Sequence, residues 1–137
     1  MSWHYGYATV EFAAAMLRKD TEIDEAVLYK KLCNNEVMTA INSDGKLIGC
    51  LRYSLFWDEV PLLNMLVIDE TFRQLGAGTG LLLFWEAEMK KAGYSLLMTT
   101  AAHNRTDQHF FRKMGYQDAG SFIFTSLPLQ IVFSKSI

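Results

Sequence analysis

The order of elements in this sequence predicts an α/β chain, α+β in class: a mixed sheet with helices on its faces. Three observations carry that prediction. A nearly continuous apolar run at residues 61–68, "PLLNMLVI", reads as a strand buried on both faces. A glycine-rich loop, "RQLGAGTG" at 73–80, follows it and leads into a segment of helical period. Before them, Asp44-Gly45 separates two apolar stretches, a hairpin signal because glycine tolerates positive φ.

From the N-terminus, residues 5–12 ("YGYATVEF") read as a strand and Phe12 to Arg18 as a short helix. Residues 20–35 read as a second helix, with Ile23, Ala26, Val27, Leu28 and Leu32 as its apolar stripe and Asn34-Asn35 ending it. Residues 37–57 form the hairpin. After the glycine loop, residues 80–93 ("GLLLFWEAEMKKAG") form a helix. Leu81, Leu82, Trp85, Met89 and Ala92 share one side, Glu86 pairs with Lys90, and Gly93 is the stop. Residues 94–100 are the next strand. Residues 104–115 form a further helix, capped by Asn104 or Thr106, with Phe110, Phe111 and Met114 inward and Gly115 at its end. Residues 116–126 and 129–135 close the chain as strands, with Pro128 between them.

The 137 residues suit one domain, 1–137, and half of them are hydrophobic, enough to bury a core. A net charge of −2 argues against nucleic acid as a partner, since such binders show a basic patch. No apolar run is long enough to cross a membrane, and the N-terminal stretch lacks the pattern of a signal peptide, so a cytoplasmic location is expected. Cys33 and Cys50 have no metal-type spacing and are expected to be reduced and structural. His103 and His109 stand six apart, which does not suit a shared metal on one helix, so no metal is expected.

The glycine loop fails two familiar patterns. A dinucleotide fold needs G-x-G-x-x-G, but Leu81 stands at the third glycine, and no carboxylate follows about twenty residues on. A P-loop needs Gly-Lys-Ser/Thr, and Gly80 is followed by Leu81. The physics still points to a pyrophosphate. Backbone N–H groups from about Gln74 to Thr79 converge at a helix start, where dipole and unpaired donors favour an anion. Gly76 and Gly78 leave no Cβ in the way.

Arg73-Gln74-Leu75-Gly76-Ala77-Gly78 resembles the acetyl-coenzyme A loop of the GNAT superfamily of N-acetyltransferases, Arg/Gln-x-x-Gly-x-Gly/Ala. Leu66-Val67-Ile68 stands where that family carries the "Leu-x-Val" end of a strand. Asn104, Phe110, Gly115 and Tyr116 match the family's later helix. The resemblance implies a GNAT-like mixed, mostly antiparallel sheet with helices on both faces and a splayed central strand pair. It also implies transfer of an acetyl group from acetyl-coenzyme A to a primary amine by direct attack in a ternary complex. Leu66, Val67 and Ile68 would then pair with the pantetheine arm, with amides near Val67 polarising the thioester. Arg73, Gln74, Leu75, Gly76, Ala77, Gly78 and Thr79 would hold the pyrophosphate, with Asn104 and Phe111 near the cofactor's other side. The acceptor would be a small molecule or a peptide, and a homodimer is compatible with this reading.

Two positions depart from the family. Phe111 stands where a Tyr often protonates the leaving thiolate, and Asn64 where a Glu often accepts the amine proton. Phe cannot donate and Asn cannot take up a proton at neutral pH. Presenting a lysine-like amine as its neutral form at pH 7 costs about 4.6 kcal/mol, whereas releasing a thiolate costs about 2 kcal/mol, so the missing base is the sharper question. Asp58 and Glu59, at the entry to the central strand, are candidate bases or substrate anchors, and His103 is a third. Phe56 and Trp57 are candidates for the wall of an acceptor pocket. These departures also motivate an alternative, a non-catalytic coenzyme A-binding regulatory module.

Overall fold

A computed structural model describes residues 2–137. Its strands are β1 (Trp3–Tyr7), β2 (Val37–Asn42), β3 (Leu47–Phe56), β4 (Val60–Ile68), β5 (Leu96–Ala102), β6 (Gln117–Phe122) and β7 (Gln130–Ser136). Its helices are α1 (Ala13–Lys19), α2 (Glu25–Cys33), α3 (Ala77–Lys91) and α4 (Asp107–Lys113). The strands form one sheet in the order β1-β2-β3-β4-β5-β7-β6. Every neighbouring pair is antiparallel except β4 and β5. The sheet is therefore mixed and mostly antiparallel, as expected.

Two cores lie on its two faces. Met16, Leu28 and Leu32 of α1 and α2 pack on Val37, Leu47 and Cys50. On the other face Leu81, Leu82, Trp85 and Met89 of α3 and Phe111 of α4 pack on Ile48, Leu51, Leu63, Leu97 and Phe133. Burying a side chain of this size contributes about 1.5–3 kcal/mol, so these stripes hold the helices in place.

Several boundaries differ from the sequence reading. β1 ends at Tyr7, because Val10–Phe12 tighten into a 3₁₀ turn ahead of α1. The second helix begins only at Glu25, where the Asp24 carboxylate caps it by accepting from Ala26 N–H at 3.1 Å. Of its expected stripe, Leu28 and Leu32 are buried and Val27 is exposed. α4 starts at Asp107 after Thr106, with no side-chain cap from Thr106 or Asn104. The β3–β4 connection is a tight turn in which Trp57 and Asp58 both have positive φ. Glu59 N–H closes it onto the Phe56 carbonyl at 3.1 Å.

The Glu86–Lys90 pair is corrected. Glu86 is buried at 8% exposure and faces the core. Its carboxylate accepts from Tyr116 Oη at 2.8 Å and from Lys135 Nζ at 2.9 Å. Lys135 also donates to the Met114 carbonyl at 3.0 Å, so one buried charge ties α3 to β7 and the α4–β6 turn. Ala92, expected inside, is exposed at the end of α3.

Candidate active site

The site begins where the sheet opens. The parallel β4–β5 ladder consists of Leu62–Met98 and Leu63–Thr99 and goes no further. Thr99 Oγ1 donates to the Leu63 carbonyl at 3.3 Å, and beyond that brace the strands diverge. On the β3 side, Arg52 pairs with Met65 and Tyr53 with Leu63, so Asn64 is the extra residue of a β-bulge. Asn64 is exposed in an otherwise half-buried strand, because the bulge puts it at the vertex of the opening.

The phase of the β3–β4 ladder decides which backbone groups face the gap. Asp69 N–H bonds the Ile48 carbonyl at 2.8 Å. Hydrogen-bonded pairs alternate along an antiparallel ladder, so Val67, opposite Cys50, also points its backbone at β3. Leu66 and Ile68 point theirs into the gap, and Arg73 Nε donates to the Ile68 carbonyl from that side at 2.9 Å. Of the amides near Val67, those that face the gap are thus Leu66 and Ile68.

The glycine loop lies at the far end of the gap. Gln74 and Gly76 take positive φ, 60° and 91°, and Gly76 is the residue ahead of α3. The first helical bond links Gly80 N–H to the Gly76 carbonyl at 2.9 Å, which leaves the amides of Ala77, Gly78 and Thr79 without a partner one turn back. Among the described residues, no backbone carbonyl receives the amides of Gln74, Leu75 or Gly76 either. A Cβ at Gly76 would meet open space, and one at Gly78 would stand 3.4 Å from Ile68. Donors, helix dipole and bare backbone fit a pyrophosphate. Gly80 has a different reason to be glycine: a Cβ there would run into the Tyr5 ring, whose hydroxyl donates to the Ala77 carbonyl at 3.3 Å.

Two adjoining cavities follow. One, of about 550 Å³, is lined by Arg73, Gln74, Gly76, Gly78, Thr79 and Lys113. The other, of about 370 Å³, fills the gap between Asn64, Met65, Thr99, Thr100 and Phe111 and reaches Glu22 of the α1–α2 loop. Leu66 and Phe110 line both. The opening therefore runs through the sheet, from the α3–α4 face to the α1–α2 face.

Several residues expected at the site stand elsewhere in the fold, and others that line it were not anticipated. Asp58 and Glu59 line neither cavity. Five residues of extended strand, about 16 Å, separate Glu59 from Asn64, beyond a direct proton transfer. His103 is exposed in the turn after β5 and lines neither cavity, nor does Asn104. His103's backbone is engaged, its N–H with the Leu129 carbonyl and its carbonyl with Gln108 Nε2. Phe56 and Trp57 sit at the distal turn, Phe56 beside Phe122 with ring centres 6.2 Å apart. Among the unanticipated residues are the charged side chains of Lys113 and Glu22. Lys113 is the last residue of α4, in a pattern that by itself reads only as a helix terminus. Glu22 falls within the helical period of residues 20–35, and nothing local marks it as part of a loop.

The Acetyltransferase (GNAT) family model matches residues 6–116, and the chain belongs to that family. Probable N-acetyltransferase 14 of Xenopus tropicalis is 21% identical over 89% of this chain and 60% of its own length. The uncharacterized protein YdhI of Bacillus subtilis is 30% identical over 61% of this chain and 51% of its own length. The chain thus spans only part of these curated relatives. Among solved structures, Ard1 of Thermoplasma volcanium superposes with a TM-score of 0.89 at 11% identity, covering 100% of this chain and 99% of that one. The PaiA N-acetyltransferase of Thermoplasma acidophilum, solved with coenzyme A, gives 0.84 at 15% identity and covers 100% of both chains. Arabidopsis thaliana Naa50, in complex with the bisubstrate analogue CoA-Ac-MVNAL, gives 0.80 at 16%, also over 100% of both.

Proposed function

We propose that this chain moves an acetyl group from acetyl-coenzyme A to a primary amine, with both substrates held at once in the β4–β5 gap. The observation that carries this reading is the break in the ladder after Leu63–Thr99, which joins the anion-ready loop to a cavity open on the opposite face. Arg73 to Thr79 would hold the pyrophosphate, with Lys113 adding charge. Leu66 to Ile68 would run beside the pantetheine arm, with the Leu66 and Ile68 amides aimed at it. Coenzyme A and acetyl-coenzyme A bound in solved relatives support the cofactor class.

In the reaction, the amine nitrogen attacks the thioester carbon. A C–N bond forms, the C–S bond breaks and sulfur leaves with the electron pair. Gap-facing strand amides stabilise the charge that develops on the carbonyl oxygen, and juxtaposition supplies much of the rate. Phe111 has no proton to give and Asn64 cannot take one, so water receives the proton that leaves the amine nitrogen and protonates the departing thiolate. An acyl-enzyme has no nucleophile here. Burial, with the Asp20 charge beside it, pushes the Cys50 thiol up to about 12, and Cys33 lies on α2 outside both cavities.

The alternative is a coenzyme A-binding regulatory module, and its support is that Asn64 and Phe111, which line the gap, carry no titratable group. The test measures thiol release from acetyl-coenzyme A over small amines, polyamines, aminoglycosides and peptides, beside calorimetry with coenzyme A. Turnover with one amine class is expected. Binding without turnover over the whole panel moves the conclusion to the regulatory module, and absence of binding overturns both.

A further inference from the structure

We infer that Glu22 is the acceptor-recognition residue, its carboxylate receiving the alkylammonium group of the incoming amine where the gap opens on the α1–α2 face. The inference rests on the transferase reading and adds to it the charge class of the acceptor. Three charged side chains line the gap cavity: Glu22, Arg105 and Asp107. Asp107 is paired with Arg105 at 3.4 Å. Two other carboxylates on the α1–α2 face are taken, Asp20 by Arg52 at 2.5 Å and Asp69 by Lys19 at 2.7 Å. Glu22 has no ion-pair partner among the described residues. The rest of the polar lining, Asn64, Thr99, Thr100 and Gln130, is neutral. An incoming cation thus meets one uncommitted negative charge.

The position of Glu22 is built rather than incidental. Arg52 stands on β3 opposite Met65, the residue after the bulged Asn64. Its guanidinium holds one oxygen of Asp20, a carboxylate only 5% exposed. The other oxygen of Asp20 accepts from Glu22 N–H at 3.2 Å. The α1–α2 loop is thereby registered to the bulge, and the Glu22 backbone is fixed where its side chain borders the opening. Asp20 and Arg52 act as positioning residues, since neither lines the gap cavity.

The experiment uses n-butylammonium as the probe and 1-pentanol as its neutral counterpart, titrated into the coenzyme A-loaded full chain and followed by amide NMR. Wild type is expected to show saturable shifts at Glu22, Asn64 and Met65 with n-butylammonium and none of that pattern with 1-pentanol. Glu22 is exposed in the free chain, and Glu22→Gln should weaken n-butylammonium by about two- to fivefold, the range for an exposed ion pair. Glu22→Asp should keep most of the affinity, and coenzyme A affinity should not move in either variant. Equal n-butylammonium affinity in wild type and Glu22→Gln, or shifts centred elsewhere, overturns the inference. Failure of wild type to bind coenzyme A would instead overturn the transferase reading, so the two failures are distinguishable.

Discussion

At the scale of single residues, the three glycines of the loop serve different ends, and substitutions separate them. Gly78→Val sets a branched side chain against Ile68 and into the cavity beside the glycine loop, where the pyrophosphate is proposed to sit. Calorimetry should show acetyl-coenzyme A affinity reduced at least tenfold in a folded protein, and wild-type affinity would falsify the pyrophosphate assignment. Gly80→Ala should do the reverse. Its methyl collides with Tyr5, so stability should fall by about 1–3 kcal/mol in urea while the folded fraction binds coenzyme A normally. Phe111 is 6% exposed, packs beside Phe110, Tyr116 and Phe133, and turns its remaining edge to the gap. Phe111→Tyr should keep or modestly raise turnover, with the new hydroxyl in the gap. A melting temperature lowered by more than about 4 °C would show the hydroxyl buried without a partner instead. The loop's geometry, glycines at a helix start with free amides, was legible in the sequence because amides, dipole and bare backbone are local properties. The role of Gly80 was not, because Tyr5 lies far back in the chain and only the fold brings the two together. Asn64 was legible as a departure from the family but not as a bulge, which exists only relative to β3.

At the scale of elements, α3 shows how far periodicity reaches. The apolar side that its period marks at Leu81, Leu82, Trp85 and Met89 is buried throughout. The same period places Glu86 on the surface, because a buried carboxylate needs partners that no local pattern names. Those partners, Tyr116 and Lys135, come from 30 and 49 positions further along. Removing one partner leaves a charge uncompensated, so Glu86→Ala should cost about 3–5 kcal/mol in urea unfolding. Lys90→Ala, on the exposed side, should stay within about 0.5 kcal/mol. Equal effects of the two would restore the surface pair. Glu22 is hidden from the sequence for a related reason. The helical period extends back through residues 20–24, whereas Asp24 caps α2 and releases the preceding residues as the loop that borders the gap.

At the scale of the whole molecule, the order of elements was legible but not the placement of β7 between β5 and β6, which depends on where the chain crosses after Phe122. Nor was the depth at which the core keeps its thiol and phenol groups neutral. Burial raises Cys50 from 9.0 to about 12 and Tyr53 from 10.0 to about 12, and pushes Tyr116 up further beside the charge of Glu86. The unfolded chain releases these protons first, so it binds fewer protons than the native state and stability falls as pH rises. The contribution should be complete below about pH 9 and should decline up to about pH 12, which urea midpoints across that range would show. A flat profile would mean that these side chains are hydrated. The opening through the sheet also has a kinetic corollary under the proposed reaction. Coenzyme A is held from the α3–α4 face, and the acceptor arrives from the α1–α2 face, so neither blocks the other's way in or out. Binding order should be random. Added coenzyme A should inhibit competitively against acetyl-coenzyme A and noncompetitively against the amine, whereas a molecule joining both halves would have to be threaded through the sheet and should leave slowly.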